Sequence, residues 1–265
     1  MKKILLWSIS ICLIAGFSFG CGKKSEEKKD EEKKTVLLGK SFAKDKEEFS
    51  ENIKKFVSIL KYEISENEDG CRYVLYDEEE DEINREYDCE VNFDDESSVE
   101  LPVTFEELDE QGWITFADKK TQISNQKKQP VSFTNEDGEK ITLQTIYTEG
   151  LDYNGVIACD LSECTFYHME ITPYEESEDG YVLNDEAPGF TICENVTGES
   201  GLDSVLNELG EPNYIEFSTD DASILVEYKN IDGSDNEVHL SFTFDGTNNV
   251  MKNVKVFCES NRVKW

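Results

Sequence analysis

The chain has 265 residues, with 26 Lys plus Arg, 59 Asp plus Glu and 2 His, and a formal charge of −33. So anionic a body repels phosphate backbones, which excludes nucleic acid as a partner. Two histidines leave little room for a histidine-based catalytic or zinc site. At 37% apolar and 11% aromatic residues there is hydrophobe enough for a core, so the acidity does not imply wholesale disorder.

Met1-Lys2-Lys3 is a short basic n-region, and Ile4 to Phe19 is apolar or small throughout. Gly20 and Cys21 follow, and then Gly22-Lys23-Lys24. The stretch is a secretion signal, short for a membrane span. It resembles bacterial lipoprotein signals, in which a small residue precedes a cysteine that is lipidated and becomes the new N-terminus. One position departs: three before the cysteine the family prefers a Leu-like residue, and here it is Ser18. The resemblance implies a signal peptide over residues 1–20 and a diacylglyceryl group on Cys21. It also implies a lipid bilayer as partner and a place on the cell membrane, facing the outside of the cell.

Residues 21–40 read as a charged flexible tether. Its core, Gly22 to Lys34, carries six lysines against five acids and has nothing to bury. Setting the signal and tether aside leaves 18 bases against 54 acids, so the exported body carries about −36. Lysines near an anionic leaflet are attracted to it, while the acidic body is pushed outward.

Residues 41–96 are expected to form an amphipathic helix and an acidic hairpin. The helix is predicted over Lys44 to Ile64, because Phe49, Ile53, Phe56, Val57, Leu60 and Ile64 recur at three- and four-residue steps. The hairpin pairs Cys71–Tyr76 with Arg85–Cys89. In one register Cys71 faces Cys89, Tyr73 faces Tyr87 and Arg72 faces Asp88. The connecting run Asp77 to Glu82 is six acids long and reads as solvated.

From residue 97 onward the chain reads as two similar units, 97–175 and 176–265. In the first, Thr104 and Glu107 form a capping box with Val103 and Leu108 as its hydrophobic staple. Gly112 closes that helix. A hairpin follows, from Val131–Thr134 to Ile141–Tyr147, and then a strand over Thr165–Thr172. In the second, Leu202, Val205, Leu206 and Leu209 make a one-faced helix ended by Gly210. Ile224, Val226 and Tyr228 alternate, then Leu240, Phe242 and Phe244, then Val254, Val256 and Cys258. The fold class expected is α+β: an N-terminal helix and hairpin, then two helix-plus-antiparallel-meander units.

Gly198-Glu199-Ser200-Gly201-Leu202, Leu209-Gly210-Glu211-Pro212 and the strands Leu225–Tyr228 and Leu240–Phe244 resemble a recurring lipoprotein module. It is similar to the small outer-membrane-assembly lipoprotein and β-lactamase-inhibitor-like fold. Leu101 to Leu108 with Gly112-Trp113 resembles a stretch common in uncharacterised Gram-positive lipoproteins. The resemblance covers residues 97–265. It implies a helical segment packed on an antiparallel meander, often in tandem, and a non-catalytic binding or scaffold protein.

Once Cys12 leaves with the signal and Cys21 is lipidated, six cysteines remain: Cys71, Cys89, Cys159, Cys164, Cys193 and Cys258. An even number in an exported chain permits disulfides. Of the 15 connectivities, Cys71–Cys89 is the pair expected from the hairpin register; Cys159 and Cys164 are close enough to bridge a short loop, and Cys193 with Cys258 is open as a link between the ends of the last unit. Buried thiols are the alternative. No C-x₂-C pair exists, so zinc is poorly served.

For calcium, the run from Glu175 through Ser177 and Asp179 to Glu186 matches an EF-hand loop at its third, fifth, sixth and twelfth places. It departs at the first, which is Glu rather than Asp, and at the ninth, Leu183. An acidic connecting loop is the other reading. His168 and His239 lie in strand-like segments away from any nucleophile or paired carboxylate motif. No Walker, dinucleotide, G-x-S-x-G or H-E-x-x-H pattern occurs, and no cofactor is expected.

The function expected is therefore that of an extracytoplasmic lipoprotein that binds or scaffolds a protein or envelope component without catalysis. One alternative is an inhibitor of a secreted enzyme acting through a concave sheet face. The other is a hydrolase using acidic residues, which needs a deep pocket with two carboxylates.

Overall fold

Period-two alternation, strongest between Tyr214 and Cys258, builds the centre of the molecule. A computed structural model describes residues 42–59, 64–66, 72–76, 87, 89–94, 97–124, 129–145, 158–178, 180–210, 212–231 and 236–260. In chain order these form α1 (Lys46–Ile59), β1 (Ile64–Glu66), β2 (Arg72–Tyr76), β3 (Glu90–Phe93), β4 (Ser98–Glu100) and β5 (Val103–Thr104). Then come α2 (Phe105–Glu110), β6 (Gln122–Ser124), β7 (Gln129–Thr134), β8 (Lys140–Thr145), β9 (Ala158–Asp160) and a 3₁₀ turn (Leu161–Glu163). Next are β10 (Thr165–Phe166), β11 (His168–Ile171), β12 (Tyr174–Ser177), β13 (Gly180–Leu183), β14 (Phe190–Ile192) and β15 (Val196–Thr197). The chain ends with α3 (Leu202–Leu209), β16 (Tyr214–Ser218), β17 (Ser223–Ile231), β18 (Asn236–Asp245) and β19 (Val250–Ser260).

Nine of these strands form one sheet in the order β1-β2-β16-β17-β18-β19-β11-β8-β7. Every neighbouring pair is antiparallel. Ile224, Val226, Tyr228, Leu240, Phe242, Val254 and Val256 fill one face and are buried. That face belongs to a single apolar cluster running from Phe42 to Cys258, with residues from 41–96, 97–175 and 176–265 alike. A second sheet, β15-β14-β3-β4, has four strands. Among the described residues no helix is long and apolar enough to cross a membrane.

Helix α1 starts where Asp45 Oδ1 accepts the Glu48 N–H at 2.8 Å. Phe49 and Ile53 are buried, and the Phe49 ring meets Phe42 edge-on at 5.3 Å and Phe217 at 6.4 Å. The helix is shorter than its apolar stripe predicts: Ile64 lies in β1, and the side chains of Phe56 and Val57 fall outside the described residues, as does Leu60.

The expected fold class is corrected by these pairings. The described part is mostly β, and the helices are few and short beside one large sheet. The two helix-plus-meander units do not exist as such, because β8, β11 and β19 are consecutive in one sheet. The Cys71–Cys89 hairpin is corrected too. Strand β2 has β1 on one side and β16 on the other, so neither edge is left for residues 85–89. Residues just beyond them form β3, which pairs with β14 and β4. The physical reason is common to both: alternation states which face a strand buries and not which strand it pairs with.

Candidate functional site

The candidate site lies where β7 ends the large sheet. Helix α2 delivers the chain there. Its capping box forms as expected: Glu107 N–H donates to Thr104 Oγ1 at 3.2 Å, and Glu107 Oε2 accepts from the Thr104 N–H at 2.7 Å. The backbone bond from Thr104 first, and the hydroxyl bond second, hold the Glu107 carboxyl below the usual carboxylate range. Gly112, at φ +85, takes the left-handed turn that ends the helix. Trp113 is then buried against Phe93, ring centroids 5.2 Å apart.

Beyond Trp113 the chain meets β7 at a single point. Ile114 and Thr134 exchange both backbone hydrogen bonds, at 2.9 and 2.7 Å. The N–H and C=O of Thr134 therefore point away from β8. Its partner across the ladder agrees, since the Lys140 N–H donates to the Glu186 carbonyl rather than to β7. Backbone groups alternate along a strand, so the N–H and C=O of Ser132 and the carbonyl of Pro130 also point out of the sheet. Pro130 fits this, because proline is tolerated in a strand where its missing N–H faces outward at an edge.

Pairing stops after one bridge because the chain bends. The Ala117 N–H donates to Thr115 Oγ1 at 3.2 Å, and the Lys120 N–H to Asp118 Oδ1 at 3.0 Å. Phe116 would face Ser132 in the continued register; instead its side chain is 90% exposed. A cleft of about 300 Å³ opens between the diverging segments, lined by Thr115, Phe116 and Ala117 on one side and by Pro130 to Ser132 on the other. Thr121, Thr134, Lys140 and Leu161 complete it. The β7 wall is held from within by an aromatic row, with Phe133 5.9 Å from Phe105 and 5.3 Å from Phe166.

A second polar cluster surrounds Lys252. The register of β18 and β19 slips between Thr243 and Phe244, which pair with Asn253 and Met251, so Lys252 is the extra residue of a bulge. Its Nζ lies 3.8 Å from Asp221 Oδ2 and 5.6 Å from the centre of the Tyr181 ring. Burial pulls the Lys252 ammonium down, but Tyr181, Asp221 and Asp245 outweigh it and leave it above the usual lysine range. Burial pushes Asp221 up, and hydrogen bonds from Ser218 and Ser223 with the Lys252 charge bring it below the usual range. This arrangement anchors the β16–β17 turn to β19.

The other residues singled out by sequence are scattered. Cys21 lies outside the described residues, as do Cys71, Asp179 and the side chain of Cys159. Cys89 and Cys164 are buried, and Cys164 Sγ is 3.5 Å from the Asp160 carbonyl oxygen. Cys193 sits half-buried at φ +49 between β14 and β15, and Cys258 is buried in β19. Glu175 and Ser177 lie on a hairpin, β12–β13. Ser177 Oγ donates to the Gly180 carbonyl at 2.6 Å, and Glu186 is ion-paired to Lys140 at 2.7 Å. Among the described residues, no three His, Cys, Asp or Glu side chains gather as a metal-binding group.

His168 and His239 lie two strands apart in the large sheet, one on either side of Phe257. Both are opposite Phe257, with ring centroids 6.0 and 5.3 Å from it. Sequence reading missed both this juxtaposition and the cleft. The signal for the cleft was present: Ile114 and Phe116 are large apolar residues directly after a buried Trp, and Lys119 to Asn135 holds four lysines and no acid. Set against models of protein families, curated proteins and solved structures, the chain matches none of them.

Proposed function

We propose that the protein is a membrane-anchored extracytoplasmic lipoprotein that acts as a non-catalytic binding or scaffold protein for a protein or envelope component. The anchoring part rests on the signal and the Gly20-Cys21 junction. The binding part rests on one observation: the large sheet presents outward-facing backbone groups at Ser132 beside the 90%-exposed Phe116. Open edges of this kind are templates for another chain, which folded proteins ordinarily blunt.

The inhibitor alternative drew on repeated helix-plus-meander units, which the single large sheet replaces. The hydrolase alternative needs two carboxylates in a pocket, and the lining of the cleft contains none. No observation favours either.

Two experiments test the proposal. Metabolic labelling with a click-modified fatty acid is expected to mark the wild-type chain and to be lost in Cys21→Ala; label that survives the substitution contradicts the anchor. Reversible crosslinking of intact envelopes is expected to recover the same partner in repeated purifications, and repeated recovery of none contradicts the binding role.

A further inference from the structure

We propose that the cleft beside β7 takes an extended, acidic peptide segment of a partner protein, added as a strand to the edge at Ser132. The inference rests on the binding role proposed above and names its site and the chemistry of its occupant.

The backbone geometry sets the mode of binding. A segment running antiparallel to β7 exchanges both hydrogen bonds with Ser132 and donates one N–H to the Pro130 carbonyl. Pro130 has nothing to donate in return, and the Ile114–Thr134 bridge closes the other end. The site is therefore short, and its volume of about 300 Å³ is at the small end of ligand sites. In strand addition the main chain supplies affinity and alternate side chains supply specificity. Here the side-chain contact is Phe116, with Ile114 beside it 50% exposed.

Charge selects the occupant. The body carries about −36, yet Lys119 to Asn135, which includes β7, has four lysines and no acid. Lys119 and Lys120 are exposed with Asp118 on the loop that leaves the cleft, and Lys127 and Lys128 lie outside the described residues. Lys119 already lies 3.5 Å from Asp109, and Lys140 is paired with Glu186, which leaves Lys120 as the cation to test first. A basic run of sequence in an acidic body attracts acidic segments and turns away basic ones.

The test uses the full chain in detergent micelles and two fluorescein-labelled octapeptides, Val-Asp-Ile-Glu-Val-Asp-Ile-Glu and its counterpart with lysine at every acidic place. Anisotropy is expected to show the acidic peptide binding at least about tenfold tighter, with affinity falling as salt is raised. Ser132→Pro removes the edge N–H and is expected to weaken binding by roughly tenfold. Phe116→Ser, at an exposed side chain, keeps the test open if the proline variant misfolds, and it too is expected to weaken binding; Lys120→Glu is expected to narrow the acidic preference.

Equal binding of the two peptides, or unchanged binding by both Ser132→Pro and Phe116→Ser, overturns the inference. So does failure of the acidic peptide to bind while the chain self-associates through Ser132, because the occupant is then a second copy. If any of these occurs while Ser132→Pro still recovers the envelope partner, the binding role stands and only this site falls.

Discussion

Ile114 and Thr134 exchange both of their backbone hydrogen bonds and so fix the direction of every polar group along β7. The consequence is an asymmetry between two residues two places apart. Thr134→Pro removes a bond donated to the Ile114 carbonyl and is expected to lower the unfolding free energy by about 1–3 kcal/mol. Ser132→Pro removes an N–H that points out of the sheet and is expected to stay within about 0.5 kcal/mol of wild type. Urea titrations of the two variants check this, and equal losses contradict the assigned direction.

The capping box of α2 carries a pH signature. Thr104→Ala is expected to cost about 1 kcal/mol at neutral pH. Because the folded state holds the Glu107 carboxyl below its ordinary range, this stabilisation is present above the unfolded value. It is lost as pH falls through the lowered folded value. The difference between wild type and Thr104→Ala therefore shrinks on acidification, which denaturant midpoints across the acid range read directly.

Gly246 lies in the turn between β18 and β19 under α1. A Cβ there would collide with Phe49 Cε2 and stand 3.0 Å from the Ala222 carbonyl. Phe49 is fully buried and cannot swing away. Gly246→Ala is expected to destabilise by about 1–3 kcal/mol through overpacking. Combining it with Phe49→Leu is expected to cost less than the sum of the two single changes, as a thermal melt of all four proteins measures.

The Lys252–Asp221 pair is half-exposed, and Lys252→Met is expected to cost about 0.5–1 kcal/mol at neutral pH. Asp221 sits below its usual range, so the pair stabilises above the unfolded carboxylate value and fails as pH falls through the folded one. Lys252 sits above its usual range, so on the alkaline side the contribution is complete below the unfolded lysine value. It is lost as pH rises through the folded one. A wild-type-minus-variant stability that is flat near neutrality and declines toward acid agrees with this; an increase toward acid contradicts it.

Local structure was legible in the sequence wherever a short-range rule decides it. Thr104 and Glu107 cap α2, Leu202–Leu209 is a helix stopped by Gly210, and the alternation in β17, β18 and β19 names the buried residues correctly. The hairpin around Asn135–Gly138 also forms, with the Asn135 side chain accepting the Glu139 N–H at 2.9 Å. Long-range pairing was not legible. Nothing in Arg72–Tyr76 marks β16, well over a hundred residues later, as its neighbour, and the repeated order of helix and hairpin suggested units that share one sheet instead.

The cleft was illegible for the same reason. Its walls come from Thr115–Ala117 and β7, and it exists because a Thr115 turn breaks pairing after one bridge. What the composition did carry was contrast: an acid-free basic run in a strongly acidic body, hidden while the charge of the body was read as one sum.

The most direct measurement is amide hydrogen exchange at Ser132 and Thr134 in the full chain, alone and with the acidic octapeptide. Slow exchange is expected at Thr134 in both samples, and fast exchange at Ser132 that slows when the peptide is added. A Ser132 amide already as protected as that of Thr134, or one that the peptide leaves unchanged at saturation, contradicts strand addition at this edge.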